Sequence, residues 1–179
     1  MNRSIFREYD VRGLVGQDLH PDLVVKLGRA VGTYAAERGV TAMTLGRDCR
    51  LSSPSLSASL MEGLLSSGID VIDIGTCATP ILYFSVRHLK TGGGVMVTGS
   101  HNPPEFNGFK ICVGPDTIYG DEIQALREII EKGAYRSGSG RASSLDVSKA
   151  YLDYIYENVN VRPGLRVVLD GGNGVGGVF

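Results

Sequence analysis

The sequence has few cysteines, and their arrangement excludes two kinds of structure. Only Cys49, Cys77 and Cys112 occur among 179 residues. They are odd in number and far apart, so they match neither the paired framework of a small secreted protein nor the closely spaced ligands of a zinc site. Isolated thiols are typical of a protein from a reducing compartment. We therefore expect reduced cysteines and a cytoplasmic location.

The sequence also lacks an excess of charge of either sign. Lys and Arg number 18 against 19 Asp and Glu, which gives a formal net charge of -1. Nucleic acids and anionic membranes are bound by strongly basic surfaces, so neither partner is expected. Any phosphate that this protein binds must be recognised by a few local groups. A small-molecule partner is therefore expected.

Long apolar runs are missing as well. No segment approaches the roughly 20 apolar residues of a membrane-spanning helix, and the N-terminal residues contain no apolar signal region. A composition of 42% hydrophobic and 21% charged residues is ordinary for a globular fold. We expect a folded protein without a membrane anchor.

Strand and helix patterns alternate along the chain. Helices are predicted to begin at Pro21 and Asp121, and two more are predicted at Ser53-Pro54 and Thr79-Pro80, with Ser53 and Thr79 as N-caps and the prolines in the first turn. Short apolar strands precede them, and repeated strand-then-helix units need crossover connections. The sequence therefore predicts an α/β fold, a three-layer α/β/α domain with a mixed, mostly parallel sheet. Residues 5–7 are interpreted as a short first strand.

The composition changes after Gly133. Residues 134–144 are rich in Gly, Ser, Ala and Arg, which is typical of a linker or mobile surface loop. We therefore expect a first domain over 1–133, a linker over 134–144, and a connecting helix with the start of a truncated second domain over 145–179. The second domain is expected to open with a strand at 165–169.

Glycines follow that last predicted strand at the spacing of a dinucleotide-binding fingerprint. Gly172, Gly174 and Gly177 satisfy G-x-G-x-x-G, which is a weak signal without a companion strand and a later acidic residue. The simpler interpretation is a strand-to-helix turn. A dinucleotide-binding fragment remains an alternative.

The stretch from Thr98 to Lys110, TGSHNPPEFNGFK, concentrates the polar chemistry of the chain. Apolar strands are predicted on both sides of it, at 94–97 and 109–113, and so short a connection predicts an antiparallel second strand. A hydroxyl, an imidazole and an amide stand in sequence at Ser100, His101 and Asn102, before two prolines that stiffen the chain. Asn107-Gly108 is interpreted as a turn. The loop is predicted to present Ser100 rigidly.

Two interpretations of this loop need no phosphate chemistry. Gly, Ser, Asn and Pro are common loop residues, so the stretch could be a plain connection. A serine hydrolase would need His101 as base for Ser100, but adjacent side chains of an extended segment point apart. The nucleophile elbow G-x-S-x-G is also not matched. Serine hydrolase is a distant alternative.

The stretch TGSHNPPEFNGFK closely resembles the phosphoserine loop of the α-D-phosphohexomutases, the family of phosphoglucomutases and phosphomannomutases. Three other segments agree with it: YDVRG at 9–13, GRDCRLSS at 46–53 and LDGGNG at 169–174. The resemblance covers essentially the whole chain and favours the phosphoglucomutase and phosphomannomutase branch over the phosphoglucosamine branch. It implies the N-terminal domain of a protein that usually has four.

The resemblance implies a mutase that moves phosphate between the 1- and 6-positions of a hexose phosphate through a bisphosphorylated intermediate. Ser100 would carry the phosphoryl group. Lys110 would move a proton or stabilise the transferring group, and Arg12, in the segment interpreted as a loop, would support the phosphoserine. His101 would hold the loop or contact phosphate, and histidine is a residue type that commonly transfers protons in catalysis.

Three further residues are candidates for substrate or phosphate binding. Tyr9 and Asn102 belong to the matching segments, and Arg47 stands at the end of a predicted strand, where α/β sheets gather ligands. Arg47 has a structural alternative, since Asp48 beside it could make it part of an ion pair.

The resemblance also implies a cofactor and further domains. In the family, Mg²⁺ binds an oxygen of the phosphoserine, here Ser100, and its other ligands are aspartates of an Asp-Gly-Asp-x-Asp-Arg loop that this sequence does not contain. The expected partners are a hexose phosphate, a hexose bisphosphate and further domains of the same protein. The chain alone is expected to be inactive. A non-catalytic phosphate-binding module is the competing class.

Overall fold

The computed structural model describes residues 1–114 and 116–178. Within them strands and helices alternate, with short 3₁₀ turns at Arg3–Ile5 and Val175–Val178. In chain order the strands and helices are β1 Val11–Leu14, α1 Pro21–Ala36, β2 Ala42–Arg47, α2 Ser53–Ser66, β3 Asp70–Thr76, α3 Thr79–His88, β4 Gly93–Val97, β5 Phe106–Val113, α4 Asp121–Lys132, β6 Ala142–Ser144 and α5 Ser148–Asn158.

The strands form one mixed sheet in the order β1-β5-β4-β2-β3-β6. Parallel pairing joins β4, β2, β3 and β6, whereas β5 is antiparallel to both β4 and β1. The tight loop after β4 therefore breaks the parallel order, as its length predicts. The predicted α/β/α architecture with a mixed, mostly parallel sheet is confirmed.

The first face of the sheet is covered by α1, α2 and α4. Their apolar side chains bury strand residues such as Val95 and Phe109, both fully buried, in the larger hydrophobic core. Two glycines bring α1 and α2 into backbone contact. A Cβ added at Gly63 would lie 2.2 Å from the carbonyl oxygen of Val25, so only glycine fits at this crossing.

The second face is covered only in part. Side chains alternate along a strand, so Met96, between two residues of the first face, points to the opposite side. There it packs in a smaller core with Ile81 and Leu82 of α3. α3 contacts β2 and β4, and α5 packs on α3, with the rings of Phe84 and Tyr151 5.4 Å apart. This face is where the charged residues of β1 and β5 lie.

Three local predictions around β1 and β5 are wrong. Residues 3–5 form a 3₁₀ turn where a strand at 5–7 is predicted, and Arg12, predicted in a loop, lies within β1 opposite Gly108. Asn107 and Gly108 belong to β5 and form no turn. The cause is the pairing of β1 with β5, because strand formation depends on a partner that lies far away in the sequence.

The segment after Gly133 lies along the edge of the sheet. Gly138 and Gly140 donate backbone hydrogen bonds to the carbonyl oxygens of Ser66 and Leu65, and β6 then pairs with β3. The segment predicted as a linker therefore contributes an edge strand. The domain bounds themselves stay a prediction.

Residues 165–169, predicted as a strand, have no strand conformation in this structure, and Val168 is 97% exposed. A strand needs a neighbour to be stable, and within the described residues none pairs with this segment. A dinucleotide fingerprint must follow a strand directly. The glycines at 172, 174 and 177 do not. Among the described residues, no helix combines the length and apolarity needed to cross a membrane.

Candidate active site

The loop that carries Ser100 connects β4 to β5 and is held at both ends. It spans residues 98–105, shorter than predicted, because β5 begins at Phe106. The backbone N–H of Thr98 donates to the carbonyl oxygen of Gly108 at 2.9 Å, and Val15 N–H donates to Glu105 at the same distance. The loop is therefore tied to β5 and to the segment after β1.

Ser100 has a left-handed backbone conformation, with φ of +53°. Such a conformation costs a non-glycine residue about 1–3 kcal/mol and persists where surrounding contacts impose it. One of these contacts is local, since the N–H of Ser100 donates to Oγ1 of Thr98 at 2.9 Å. The side chain of Ser100 is exposed, as a nucleophile requires.

The left-handed turn brings Ser100 and His101 together. The Oγ of Ser100 lies 3.3 Å from Nδ1 of His101. The expectation that these adjacent side chains point apart is wrong, because it assumed an extended backbone. A proton can pass between the two groups, although no third side chain orients the imidazole among the contacts of the described residues.

Arg50, which is not among the predicted site residues, is the main support of this loop. Its Nη1 donates to the carbonyl oxygens of Pro103 and Phe106 at 2.7 and 3.0 Å. Its Nη2 donates to those of Ser100 and Asn102 at 3.1 and 2.6 Å. The guanidinium lies against Gly99, where an added Cβ would be 2.4 Å from Cζ.

Asp48 connects Arg50 to the rest of the loop. Its Oδ2 lies 3.3 Å from Nε of Arg50 and accepts the N–H of Gly99 at 3.2 Å. Its Oδ1 accepts from the Arg50 N–H and from the Ser53 hydroxyl at the start of α2. The fully buried Asn107 donates to the same hydroxyl at 2.9 Å. β2, α2, β5 and the Ser100 loop therefore share one polar network.

A signal for Asp48 and Arg50 is present in the sequence. The carboxyl ends of neighbouring parallel strands meet at one edge of a sheet, where ligands gather. Residues just after β2 must therefore lie beside those just after β4. Arg47 is still within β2, so the residues that reach the Ser100 loop are the next ones along the chain.

A cavity of about 900 Å³ opens in front of the serine. Ser100, His101 and Asn102 line one side of it, and residues 48–52 line another. Residues 172–175 of the C-terminal segment form a further wall, where the Cys49 sulfur lies 3.6 Å from the Asn173 carbonyl oxygen. The structure thus brings three of the predicted site residues into one cavity.

Arg12 and Lys110 lie outside that lining, in a cluster on the second face of the sheet. Both pair with Asp10, whose side chain is 9% exposed, and the Lys110 Nζ lies 3.6 Å from its Oδ2. Arg12 of β1 lies opposite Gly108 of β5, and Thr98, just after β4, donates its N–H to Gly108, so the three residues form one row. At about 4.8 Å per strand, Arg12 and Thr98 are about 10 Å apart at their Cα atoms.

Two cations around one carboxylate leave a net positive charge next to the serine loop. Nε of Arg12 is buried and has no hydrogen-bond partner among the described residues. An anion bound here would meet one positive charge in excess and an unused donor. These features suit a phosphoryl group.

The three residues predicted to bind substrate or phosphate, Arg47, Tyr9 and Asn102, lie in different parts of the structure. Arg47 lines a different cavity and forms an ion pair with Asp73 at 3.2 Å. The predicted ion pair therefore exists, but its aspartate is Asp73 and not the neighbouring Asp48. Tyr9 is 69% exposed in the turn before β1. Asn102 lines the serine cavity, and its side-chain amide donates to the Gly99 carbonyl oxygen at 2.9 Å. Their predicted roles in binding stay predictions.

The described residues contain no group of three or more His, Cys, Asp or Glu side chains placed to hold a metal ion. Mg²⁺ prefers several oxygen ligands, and the carboxylate of Asp48 in the cavity wall is already engaged by Arg50, Gly99 and Ser53. Glu105 is the other carboxylate in the cavity lining, and one carboxylate beside an oxygen on Ser100 does not complete a Mg²⁺ site.

Comparisons with known proteins by sequence and by structure find the same family. Residues 3–137 match the family model for phosphoglucomutase/phosphomannomutase, alpha/beta/alpha domain I. The chain is 44% identical over 181 residues to a phosphoglucomutase of Neisseria gonorrhoeae, covering 100% of the chain and 39% of that protein. It is 45% identical over 176 residues to a phosphomannomutase/phosphoglucomutase of Pseudomonas aeruginosa, covering 98% and 38%.

A solved structure agrees with these relatives. The crystal structure of a phosphoglucomutase/phosphomannomutase family protein from Burkholderia thailandensis superposes with a TM-score of 0.85 at 37% identity. The match covers 89% of this chain and 37% of that one. The chain therefore spans about two fifths of the length of the curated relatives it matches.

Proposed function

Since the chain belongs to the phosphoglucomutase/phosphomannomutase family, we propose that it supplies the phosphoserine of a mutase acting on glucose or mannose phosphates. Phosphate would move between the 1- and 6-positions of the hexose through a bisphosphorylated sugar. The observation that carries the proposal is the Ser100 hydroxyl, exposed in a constrained loop and 3.3 Å from an imidazole nitrogen.

The proposed reaction balances with the groups present. A sugar hydroxyl attacks the phosphorus of phosphorylated Ser100, so one P–O bond breaks at Oγ while another forms at the sugar. The leaving Oγ takes a proton from Nδ1 of His101, and the proton of the attacking hydroxyl is released to water. After the bisphosphate turns over, its other phosphate returns to Ser100, and the serine proton passes to Nδ1 of His101, 3.3 Å away.

Catalysis of phosphoryl transfer consists mostly of positioning and of neutralising charge. We assign the second task to Arg12 and Lys110, which surround Asp10 with one positive charge in excess. A phosphoserine carries about -1.5 to -2 charges at neutral pH, so a nearby cationic cluster stabilises it. Lys110 has three donors on a flexible stem and can follow the phosphoryl group as it moves.

Mg²⁺ is proposed as the cofactor, with an oxygen of phosphorylated Ser100 as its ligand from this chain. When bound, it would neutralise charge on the phosphoryl group. The described residues contain no group of three or more metal-binding side chains, so the remaining ligands are assigned to the rest of the protein. The groups that bind the far side of the sugar are likewise assigned to the rest of the protein. We therefore propose that the chain alone does not turn over hexose phosphates.

Ser100→Ala in the full-length protein tests the proposal. Intact-mass and phosphopeptide analysis should find one phosphate on Ser100, and the variant should lose both this phosphate and the conversion of glucose 1-phosphate to glucose 6-phosphate. Ser137→Ala, at an exposed serine in the segment before β6, is the matched control and should keep both. Phosphate found on another residue, with Ser100 unmodified in the active protein, would contradict the assignment.

The isolated chain provides the second arm of the test. It should fold and show no mutase activity with Mg²⁺ and a hexose bisphosphate, beside an active full-length protein. Comparable rates from both would show that the rest of the protein is dispensable. Binding of hexose phosphates by the full-length protein without turnover would favour the non-catalytic phosphate-binding module.

A further inference from the structure

We propose that Arg50, together with Asp48, is the positioning element of the nucleophile and does not bind substrate. This inference deepens the proposed function and rests on it. An arginine in the wall of a phosphate-accepting cavity would ordinarily be assigned to the substrate, because its guanidinium suits phosphate oxygens. The hydrogen bonds of this arginine contradict that assignment.

Every nitrogen of the Arg50 guanidinium already has a partner within the protein. Nη1 and Nη2 contact four carbonyl oxygens between Ser100 and Phe106, at 2.6 to 3.1 Å. Nε lies 3.3 Å from Oδ2 of Asp48 in an ion pair. A guanidinium has five N–H donors in a rigid fork, and here each nitrogen has a partner. A substrate phosphate could bind Arg50 only by breaking the loop apart.

These contacts act on the backbone atoms that define where the serine lies. Arg50 holds the carbonyl oxygen of Ser100, and Asp48 holds the N–H of Gly99, immediately before it. Ser100 adopts φ of +53°, which an unsupported serine rarely does. The pair therefore stabilises the conformation that brings Oγ next to His101.

The pair is also electrically balanced. Asp48 and Arg50 together carry no net charge, and their side chains are only 13% and 15% exposed. The positive charge for the phosphoryl group comes instead from the separate cluster around Asp10. Positioning and charge neutralisation are thus assigned to different residues, and they can be perturbed separately.

The test uses Arg50→Lys in the full-length protein. Lysine keeps the charge but has a single nitrogen, which cannot reach four carbonyl oxygens. Misplacing a reacting group by about 1 Å costs about a hundredfold in rate, so kcat should fall about a hundredfold. The KM for hexose phosphate should stay within about twofold, because substrate contacts are intact.

The matched control is Arg127→Lys. Arg127 is an arginine of α4 with 19% exposure and hydrogen bonds to Gln124 and Glu131, remote from the serine loop in the fold. It should keep kcat, KM and Tm. Asp48→Asn is the second variant, which keeps the shape and removes one charge-assisted contact, and kcat should fall about tenfold. It serves as the test if Arg50→Lys fails to fold.

A KM that rises for Arg50→Lys while kcat stays constant would overturn the inference, because Arg50 would then bind substrate. Unchanged kcat would overturn it as well. A wild-type protein without turnover and without phosphate on Ser100 would contradict the proposed function instead. Amide hydrogen exchange then decides the positioning role: Gly99, Ser100 and Asn102 should exchange faster in Arg50→Lys than in Arg127→Lys, and equal rates would refute it.

Discussion

One face of the sheet is buried in the larger core and the other carries the charged cluster, and strand β5 contributes to both faces. On the first face Phe109 is fully buried beneath helices of the larger core. The next residue, Lys110, points to the second face, where α3 covers the central strands and β1 and β5 carry the charged cluster around Asp10. Alternation along a single strand therefore places a stability residue beside a candidate catalytic one.

This difference shows why the candidate site tolerates charge so close to the core. Arg12 in β1, Lys110 in β5 and Asp10 just before β1 lie at positions that α1, α2 and α4 do not cover. On the first face the same charges would lose their hydration without compensation. Substitutions at neighbouring positions should therefore affect either folding or turnover, and only rarely both.

The largest effect is expected for Phe109→Ala in the isolated chain. Removing a fully buried phenyl ring leaves a cavity in the larger core, and the free energy of unfolding should fall by about 4 kcal/mol. Urea denaturation followed by circular dichroism measures this change. Lys110→Ala is the control, with an expected loss below about 1 kcal/mol. Equal losses for the two variants would mean that the faces are not separated as described.

The next effect is expected for Lys110→Met in the full-length protein. Methionine keeps the apolar stem and removes the charge, so kcat should fall about a hundredfold, about 2.7 kcal/mol in activation free energy. Substrate affinity, measured separately by calorimetry, should change much less. Arg12 still pairs with Asp10 in this variant, which protects the fold. Unchanged turnover would make Lys110 an ordinary strand lysine.

The smallest effect concerns the part of the second face that α3 covers. Burial raises the pKa of the Cys77 thiol to about 11, and burial likewise raises the pKa of Cys112 to about 11. At pH 7.5 both should resist iodoacetamide, while exposed Cys49 reacts. Mass spectrometry should find one modified cysteine in the native chain and three in urea.

The same shifts give a pH dependence. A raised pKa in the folded state means that the stability due to the neutral thiols is present below about pH 9 and declines as the pH rises towards 11. Cys77→Ser and Cys112→Ser should each reduce that decline. Alkylation of Cys77 or Cys112 in the native chain at pH 7.5 would show that α3 does not shield this part of the sheet.

Local signals predicted much of the helical layer. A proline lies in the first turn of α1, α2 and α3, and α4 ends at Gly133, which has φ of +63°. Such signals depend on a few adjacent residues and their backbone angles, so they can be read from short segments. The predicted caps Ser53 and Thr79 are one residue late, which shows the precision of such signals.

The sequence by itself determined the layered α/β fold, the loop position of Ser100 and the family, because periodicity, turn residues and a long specific motif are local properties. Only the tertiary structure decided that Arg12 lies in a strand, that Ser100 is left-handed and close to His101, and that Arg50 supports the loop. The same is true of residues 165–169, which pair with no strand among the described residues despite their apolar pattern. The physical reason is common to all four features. Each depends on whether hydrogen-bond partners distant in sequence are present or absent, which no local pattern reveals.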